Sequence, residues 1–393
     1  MKKKRILTVL ALLFLVYAAW LGWGVLHFKK YTSAPLPSFS SEPSVPTEEF
    51  SSPPTSFEIE AVYHIHSRYS DGRSSVEKIA KLASRSSLDC LILTDHGNPN
   101  SKSIASAGWK YGVLVCAGSE LSVSRGHLVG LGFSLPRIPF SQNTEIAVRE
   151  IGALGGFTII AHPYSKTRWS WGGFIEYSGI ELINADSDLK TNFLASLIYL
   201  PALLIRPEYA LLKMLDEPSQ SVRKWDELAR RHPLYGYFSA DAHFLYRSLF
   251  SLFRLHILLP APLAQEFEAA RRQVLDALRC GNFYNSIEAA AEAAGFQFWA
   301  EKARHASRMG SSLSIDSSSP AVLQMVTPFS FAKETRLIHN GNIIFSTDKE
   351  RSRFAVRAPG VYRVEVYLKE NSPLGKNIPW IVSNPIFIGK EKE

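Results

Sequence analysis

Five segments of this chain contain apolar runs of strand length, and each run is followed by side chains that can bind metal ions. They read IEAVYHIHSRYSDG at 59–72, DCLILTDH at 89–96, GVLVCAGSELSVSRGHLVGLG at 112–132, FTIIAHP at 157–163 and YGYFSADAH at 235–243. Repeated alternation of such strands with helices indicates an α/β fold with a parallel sheet, in which residues at the carboxyl ends of strands lie at one face. Imidazole and carboxylate ligands together suit Zn²⁺, Mn²⁺ or Fe²⁺. The pattern therefore predicts a metal site with more than one ion.

Nine residues in these segments are candidate metal ligands. They are His64, His66, Asp71, His96, Glu120, His127, His162, Asp241 and His243. The pairs His64/His66 and Asp241/His243 have period-two spacing, which places both side chains of a strand on one face. Glu120 follows a buried-looking strand, where an unpaired carboxylate is strongly disfavoured and a bridged metal ion would satisfy it. Each residue taken singly could also have an ordinary role in a turn or at a strand end. The prediction of a metal site therefore depends on all nine residues together.

The order of these motifs resembles the PHP (polymerase and histidinol phosphatase) superfamily of metal-dependent phosphoesterases. The resemblance covers roughly residues 59–285, from the HxH and SDG through TDH, GH and AHP to the DxH at 241–243. The tail near 360–388 resembles the small β domain of the membrane-anchored and secreted branch of that family. The resemblance implies a distorted (β/α)7 barrel, whereas the periodicity alone leaves an open sheet equally possible.

The resemblance also implies how the ligands are shared among ions. The implied sets are His64, His66, Glu120 and Asp241 for one ion, Glu120, His127 and His162 for a second, and Asp71, His96 and His243 for a third. Asp95 is expected to orient His96 or its neighbours without touching metal. The spacing of the residues leaves open whether two or three divalent ions are bound.

The expected activity is hydrolysis of a phosphate ester by metal-activated hydroxide. Clustered dications lower the pKa of bound water and neutralise charge on phosphate oxygens. Glu120 and Asp241 would act as catalytic ligands and Arg68 would contact the phosphate, although Arg68 is equally well explained as an exposed loop charge. Two alternatives remain: hydrolysis of a carboxylic ester, carbamate or amide by the same metals, and a non-catalytic binding module, which the complete ligand set disfavours.

The first thirty residues predict a membrane anchor. Residues 6–26 carry no charge, and a helix of that length spans about 30 Å, the thickness of the hydrocarbon layer. Four basic residues, Lys2 to Arg5, precede this segment, so the positive-inside rule predicts a single-pass protein with its N-terminus in the cytoplasm and the catalytic part outside. A cleaved signal peptide is the alternative.

The whole chain divides by composition into four predicted parts. They are the cytoplasmic tip and anchor at 1–30, a Ser/Pro-rich linker at 31–57, a metallohydrolase domain at 58–290 with a helical insertion at about 187–233, and an all-β, sandwich-like domain at 293–393. Within the insertion, 192–205 is apolar but short for a membrane span, which favours a buried or interfacial helix.

The predicted substrate is a phosphorylated small molecule or a phosphate of the envelope or its lipids. The net charge of +8 does not favour nucleic acid as a partner, because part of it comes from the four basic residues that precede the membrane anchor. Three cysteines are too few for a disulfide framework.

Overall fold

The computed structural model of this chain describes residues 2–32, 52–164, 168–173, 176–303, 305–315, 320–329, 331–369, 372 and 374–390. Most of the predicted linker, residues 33–51, lies outside the described residues. The helices are α1 (Lys2–His27), α2 (Val76–Arg85), α3 (Ser101–Ala105), α4 (Thr144–Ala153), α5 (Ala185–Thr191), α6 (Phe193–Ile205), α7 (Pro207–Met214), α8 (Ser219–Ala229), α9 (Tyr246–Leu252) and α10 (Phe267–Arg279). Helices α5 to α8 thus lie in the range predicted to be a helical insertion.

The strands of the first half are β1 (Phe57–Ile65), β2 (Cys90–Leu93), β3 (Gly108–Lys110), β4 (Val113–Ala117), β5 (Ser119–Val123), β6 (Gly126–Leu131), β7 (Phe157–Ile160), β8 (Gly179–Asn184), β9 (Tyr235–Ser239), β10 (Arg254–Leu259) and β11 (Phe283–Ser286). Those of the second half are β12 (Gln297–Lys302), β13 (His305–Arg308), β14 (Ser312–Ile315), β15 (Ala321–Val326), β16 (Ala332–His339), β17 (Asn342–Thr347), β18 (Arg351–Val356), β19 (Gly360–Leu368), β20 (Ile381–Ser383) and β21 (Ile386–Lys390).

These strands form three open sheets, so the predicted distorted (β/α)7 barrel is not confirmed. The longest path runs β14-β21-β19-β20-β11-β10-β1-β2-β4-β3, a second sheet runs β5-β6-β7-β8-β9, and a third runs β13-β12-β15-β18. Strands β1 and β10 pair antiparallel, as do β5, β6 and β7. A mixed α/β fold with an N-terminal apolar helix and a β-rich C-terminal region is confirmed.

Gly118 separates two strands, β4 and β5, within the apolar segment at 112–132. Strand β4 ends before it and β5 begins after it, in a different sheet. A Cβ atom at Gly118 would lie 2.2 Å from the carbonyl oxygen of Gly130, so only glycine fits this close crossing. Two backbone hydrogen bonds join the sheets nearby, from Glu120 N to Thr94 O at 3.1 Å and from His66 N to Ala242 O at 3.0 Å. The break therefore places Glu120 where the two sheets meet.

The β-rich C-terminal region shares a sheet with the first half of the chain. Strand β20 lies between β11 and β19 and pairs with both. Asn384, directly after β20, accepts a hydrogen bond from Gly236 N at 2.8 Å and donates one to Phe283 O at 3.1 Å. The predicted domain boundary near 290–293 stays a prediction, because this sheet runs continuously across it.

A buried ionic cluster also links the two regions. The guanidinium of Arg363 on β19 donates to both carboxylate oxygens of Asp226 on α8, each at 2.8 Å, and to Glu365 at 2.6 Å. The exposed fractions of the three residues are 3%, 9% and 7%. The two carboxylates depend on the shared guanidinium, because a buried charge without a partner is very costly in the interior.

Helix α1 is long and apolar enough to cross a membrane, a property that signal sequences share. Its residues 6–16 are exposed, but Leu21, Val25 and, just beyond the helix, Phe28 are buried against the body. Lys30 forms a salt bridge of 3.2 Å with the buried Glu288. The backbone of Tyr31 donates to Ala290 O at 3.0 Å. The end of this helix is thus docked onto the folded part of the chain.

Candidate metal centre

The nine predicted ligands converge on one place in the fold. Seven of them line a cavity of about 260 Å³, namely Asp71, His96, Glu120, His127, His162, Asp241 and His243. His64 and His66 are fully buried and contact Glu120 and Asp241. The side chains come from the ends of β1, β2, β7 and β9 and from β5 and β6. The sequence prediction that they lie together is therefore met, while their roles as ligands remain predictions.

Four donor atoms form a compact set at the base of the site. His64 Nε2 lies 3.1 Å from both His66 Nε2 and Glu120 Oε2. Asp241 Oδ1 lies 3.4 Å from the first imidazole and 3.3 Å from the second. Four ligands placed tetrahedrally around an ion at about 2.1 Å are separated by roughly 3.4 Å. The distances that join the two imidazoles to each other and to each carboxylate therefore fit ligands of a transition-metal ion.

Glu181, which sequence reasoning missed, fixes the orientation of His64. Its Oε1 accepts a hydrogen bond from His64 Nδ1 at 2.6 Å, and its Oε2 accepts from His162 N and from Asn184 Nδ2, both at 2.8 Å. With Nδ1 carrying the proton, the lone pair of His64 Nε2 faces the other three donors. The available signal was an acidic residue inside the apolar strand GIELIN, which needs a partner when buried.

Glu120 also faces a second group of donors. Its Oε1 lies 2.9 Å from His127 Nδ1 and 2.9 Å from His162 Nε2. The His127 nitrogen is buried and has no hydrogen-bond partner, despite this short distance. A nitrogen and an oxygen that approach without hydrogen-bond geometry fit two ligands of one ion. One carboxylate thus faces two donor groups, as a bridging ligand would.

A third group lies at the more exposed side of the cavity. Asp71 Oδ2 lies 3.2 Å from His243 Nε2 and 3.6 Å from His96 Nε2. His243 Nδ1 contacts the carbonyl oxygen of Asp241 at 3.0 Å, which directs its Nε2 toward Asp71. The clusters able to hold an ion are His66–Asp71–His96–His243, His64–His66–Glu120 and His96–Glu120–His127. His66, His96 and Glu120 each belong to two of these clusters, so the geometry accommodates divalent ions without fixing their number or identity.

Three of the predicted ligands have unusual backbone conformations. His64, His162 and Asp241 have positive φ angles of 67°, 27° and 43°. For residues other than glycine, this region costs about 1–3 kcal/mol and is concentrated at functional sites. His64 also coincides with an irregularity in the β1–β2 register. Its side chain is therefore aimed by a local distortion of the strand as well as by strand alternation.

The electrostatics of the site favour ionised carboxylates. Burial acts to raise the pKa of Glu120, but the charge of His64 and the close contacts of His127 and His162 hold it well below its usual range. The pKa of Asp241 is lowered in the same way. Burial acts to lower the pKa of His66, yet contacts with Asp241 and Glu120 raise it to about 9. The ionised carboxylates of the site carry negative charge, which attracts cations. Their oxygens, together with the imidazole nitrogens, are a donor set suited to divalent metals.

Asp95 supports the loop that follows His66. Its Oδ1 accepts hydrogen bonds of 2.7 Å from Ser67 N and Ser70 Oγ, and its Oδ2 accepts one of 2.6 Å from Ser103 Oγ. It therefore positions the loop that carries Asp71. The exposed Arg68 in the same loop directs its Nε to the carbonyl oxygen of Arg73 at 3.2 Å. Its predicted contact with phosphate stays a prediction.

Helix α5 adds a cation to the rim of the site that the sequence did not single out. Asp186, Ser187, Lys190 and Thr191 line the same cavity as the predicted ligands. Lys190 pairs with Asp186 one helical turn earlier. A hydrogen bond with Asp186 raises the pKa of Lys190, and the negative charges of the site act in the same direction. Its ammonium group is thus charged beside the cavity.

Replacing Glu181 by glutamine should weaken metal binding about 10–100-fold, the usual cost of losing a partner that orients a ligand. Both glutamate oxygens accept hydrogen bonds from donors, so an amide NH₂ group must face one of those donors. Metal affinity by competition with a chromogenic chelator measures the effect. Glu77→Gln, at an exposed position on α2, should bind metal as the wild type does. Wild-type affinity in the Glu181 variant would exclude the orienting role.

Comparisons with known proteins return distant structural likenesses. No family model and no curated protein matches the sequence. A two-domain protein from Bacteroides vulgatus containing a predicted PHP-like metal-dependent phosphoesterase is similar, with 14% identity, 84% of this chain and 95% of that chain covered, and a TM-score of 0.41. An amidohydrolase from Chromobacterium violaceum is 20% identical over 47% of this chain and 87% of its own, with a TM-score of 0.30.

Proposed function

We propose that this chain is a metal-dependent hydrolase of the PHP type that cleaves phosphate esters with two or three Zn²⁺, Mn²⁺ or Fe²⁺ ions. The observation that carries the proposal is the set of four donors at the base of the site. His64 Nε2 and His66 Nε2 lie 3.1 Å apart, and each lies 3.1–3.4 Å from an oxygen of Glu120 and from an oxygen of Asp241. Both imidazole nitrogens lie close to the same oxygen of a buried carboxylate. Ligands of one metal ion adopt this arrangement.

In this proposal the groups of residues in the site have separate roles in binding metal, binding substrate and positioning other side chains. The four donors at the base, with the histidines around Glu120 Oε1, would hold the metal ions. Bound ions would lower the pKa of a coordinated water and neutralise charge on the substrate. Asp71 and His243 lie at the more exposed side, where a substrate enters, and Lys190 offers a positive charge to phosphate oxygens at the rim. Glu181 and Asp95 position these groups without facing the substrate.

A substrate panel on metal-loaded protein tests the bond that is cleaved. We expect hydrolysis of p-nitrophenyl phosphate or bis-p-nitrophenyl phosphate, lost after chelation and restored by Mn²⁺ or Zn²⁺. The same preparation should cleave p-nitrophenyl acetate and p-nitroacetanilide at least tenfold more slowly, because a cluster of dications favours an anionic substrate. Cleavage of only the acetate or the anilide would favour the carboxyl ester, carbamate or amide alternative. A folded, metal-loaded protein without any hydrolysis would favour the binding module.

We further propose that α1 is retained as an anchor, with its N-terminus in the cytoplasm and the metal centre outside. The basic residues Lys2 to Arg5 support this orientation. Retention is supported by the burial of Leu21, Val25 and Phe28, which cleavage after α1 would separate from their partners or expose. Alkaline phosphatase fused after Glu393 should be active, and the membrane-bound product should keep its N-terminus. Activity confined to a cytoplasmic reporter at the same place would reverse the topology.

A further inference from the structure

A second cavity, here called the side cavity, adjoins the metal centre. It has a volume of about 290 Å³ and lies between the end of β8, helix α5 and the start of α8. Ligand pockets in proteins begin at roughly this size. His162, Ser187 and Thr191 line both the side cavity and the cavity that contains the predicted ligands. A substrate whose phosphate lies at the ions can therefore extend into the side cavity.

The part of the side cavity that touches the metal ligands consists of groups that bind one another. Oε1 of Glu181 accepts a hydrogen bond from His64, and its Oε2 accepts from His162 N and Asn184 Nδ2. Asn184 Oδ1 accepts from Ser187 N at 2.9 Å. Recognition of a ligand in the side cavity therefore depends on its other polar groups.

Asp188 and Asp216 supply hydrogen-bond acceptors to the side cavity. Asp188 Oδ2 accepts from Asp216 N at 3.2 Å, and its Oδ1 has no hydrogen-bond partner among the described residues. Burial raises the pKa of Asp188 to about 7, and the negative charge of Asp216 acts in the same direction. No lysine or arginine within the described ranges lines this cavity. A ligand that donates hydrogen bonds would supply the partner that Asp188 lacks.

The start of α8 supplies hydrogen-bond donors on the opposite side. Ser219, Gln220 and Ser221 form the first turn of this helix and line the side cavity. No side chain caps the helix, so the N–H groups of its first turn have no partner within the helix. The cavity thus combines acceptors with donors. A hydroxyl group both donates and accepts, whereas an ammonium group only donates and an alkyl chain does neither.

We propose that the side cavity binds the alcohol portion of the substrate, and that this alcohol carries several hydroxyl groups. The substrate class is a phosphate ester of a sugar or sugar alcohol. The phosphate would lie at the ions beside Lys190, while the hydroxyl groups would bind Asp188, Asp216 and the first turn of α8. This proposal rests on the proposed hydrolase function and adds the substrate class.

Three phosphate monoesters of six-carbon alcohols test the substrate class on the full chain in detergent, loaded with Mn²⁺. Glucitol 6-phosphate carries hydroxyl groups along its chain, 6-aminohexyl phosphate carries one ammonium group, and hexyl phosphate carries neither. We expect kcat/KM for glucitol 6-phosphate to exceed that for each of the others at least tenfold, because a site that binds hydroxyl groups rejects analogues without them. If the protein cleaves only diesters of p-nitrophenol, the methyl diesters of the same alcohols replace the monoesters.

Asp188→Asn should reduce the preference for glucitol 6-phosphate over hexyl phosphate about fivefold or more, the usual effect of one hydrogen bond. The amide oxygen can keep the hydrogen bond from Asp216 N, while the NH₂ group replaces the acceptor that the ligand would use. Asp276→Asn, at an exposed position on α10, is the matched control and should keep the wild-type preference. An unchanged preference in folded Asp188→Asn protein would show that the hydroxyl groups bind elsewhere, and the proposal would be wrong.

Binding has a readout that does not depend on cleavage. Phosphonate analogues of glucitol 6-phosphate and hexyl phosphate, with CH₂ in place of the ester oxygen, are titrated into the metal-loaded protein in a calorimeter. The glucitol analogue should bind at least tenfold more tightly, and Asp188→Asn should reduce this difference.

The two sets of measurements separate the substrate class from the hydrolase function. A preference below tenfold for glucitol 6-phosphate over hexyl phosphate, or faster cleavage of the aminohexyl ester than of the glucitol ester, would overturn the substrate class and leave the hydrolase proposal standing. Tighter binding of the glucitol analogue by protein that cleaves no ester would overturn the hydrolase proposal and support the side cavity as the binding site for hydroxyl groups.

Discussion

Replacing Glu120 by glutamine should remove at least one metal ion per chain and reduce hydrolysis by about three orders of magnitude. Both carboxylate oxygens are in use: Oε2 lies 3.1 Å from His64 Nε2 and Oε1 lies 2.9 Å from His162 Nε2. The amide keeps one acceptor oxygen and turns the other into a donor, so one of the two donor groups loses its shared ligand. Metal ions supply several kcal/mol of transition-state stabilisation, and each 1.4 kcal/mol corresponds to a tenfold change in rate.

Metal content by mass spectrometry and the steady-state rate on p-nitrophenyl phosphate measure these two effects. Glu268→Gln changes an exposed glutamate on α10 and should leave metal content and rate unchanged. If folded Glu120→Gln protein keeps the full metal content, Glu120 does not bridge two donor groups, and the ligands must be shared in another way.

Replacing Arg363 by methionine should lower the free energy of unfolding by about 3–5 kcal/mol at neutral pH. The change leaves Asp226 and Glu365 buried without the guanidinium that they share. Burial acts to raise the pKa of Glu365, but Arg363 outweighs it and lowers that pKa in the wild type. A lowered folded-state pKa stabilises the protein above the unfolded pKa, and this contribution is lost as pH falls. Without Arg363 the pKa of Glu365 should rise, so the loss of stability should be smaller in acid.

Denaturant unfolding in detergent at pH 7 and at pH 5 separates this electrostatic effect from a loss of packing. Arg357→Met, at an exposed position after β18, is the control and should change stability little. An Arg363 variant that loses the same stability at both pH values would indicate a packing defect instead of unmatched buried charge.

The sequence was sufficient for the composition of the candidate site because its residues are chemically distinctive and follow apolar strands. Strand ends with His64, His162 and Asp241 could be recognised without knowing how the sheets are arranged. Glu181 was missed because it lies inside an apolar strand, and it contacts the nitrogen of His64 that faces away from the other donors. Lys190 was missed because its place beside the cavity depends on the path of a helical insertion, which local patterns do not encode.

The arrangement of the sheets was less accessible from the sequence for a physical reason. Alternating strands and helices have the same local patterns in a closed barrel and in open sheets. The transfer of the chain from one sheet to another at Gly118 depends on the distant backbone at Gly130, which limits the space. The register irregularity at His64 likewise depends on tertiary contacts. The long sheet path through β20 depends on pairing between residues about 100 positions apart.

The position of β20 has a consequence for how the chain reaches its native state. Residues 381–383 fill the edge of β11, yet they are synthesised about 100 residues after that strand. Until they arrive, a nascent chain has an open strand edge at Phe283–Ser286, and open edges invite pairing with other chains. Loop closure over such a sequence distance is slow. Completion of the sheet around β11 should therefore follow synthesis of residues 381–383, and a chain truncated shortly before Ile381 should aggregate more readily than the full chain.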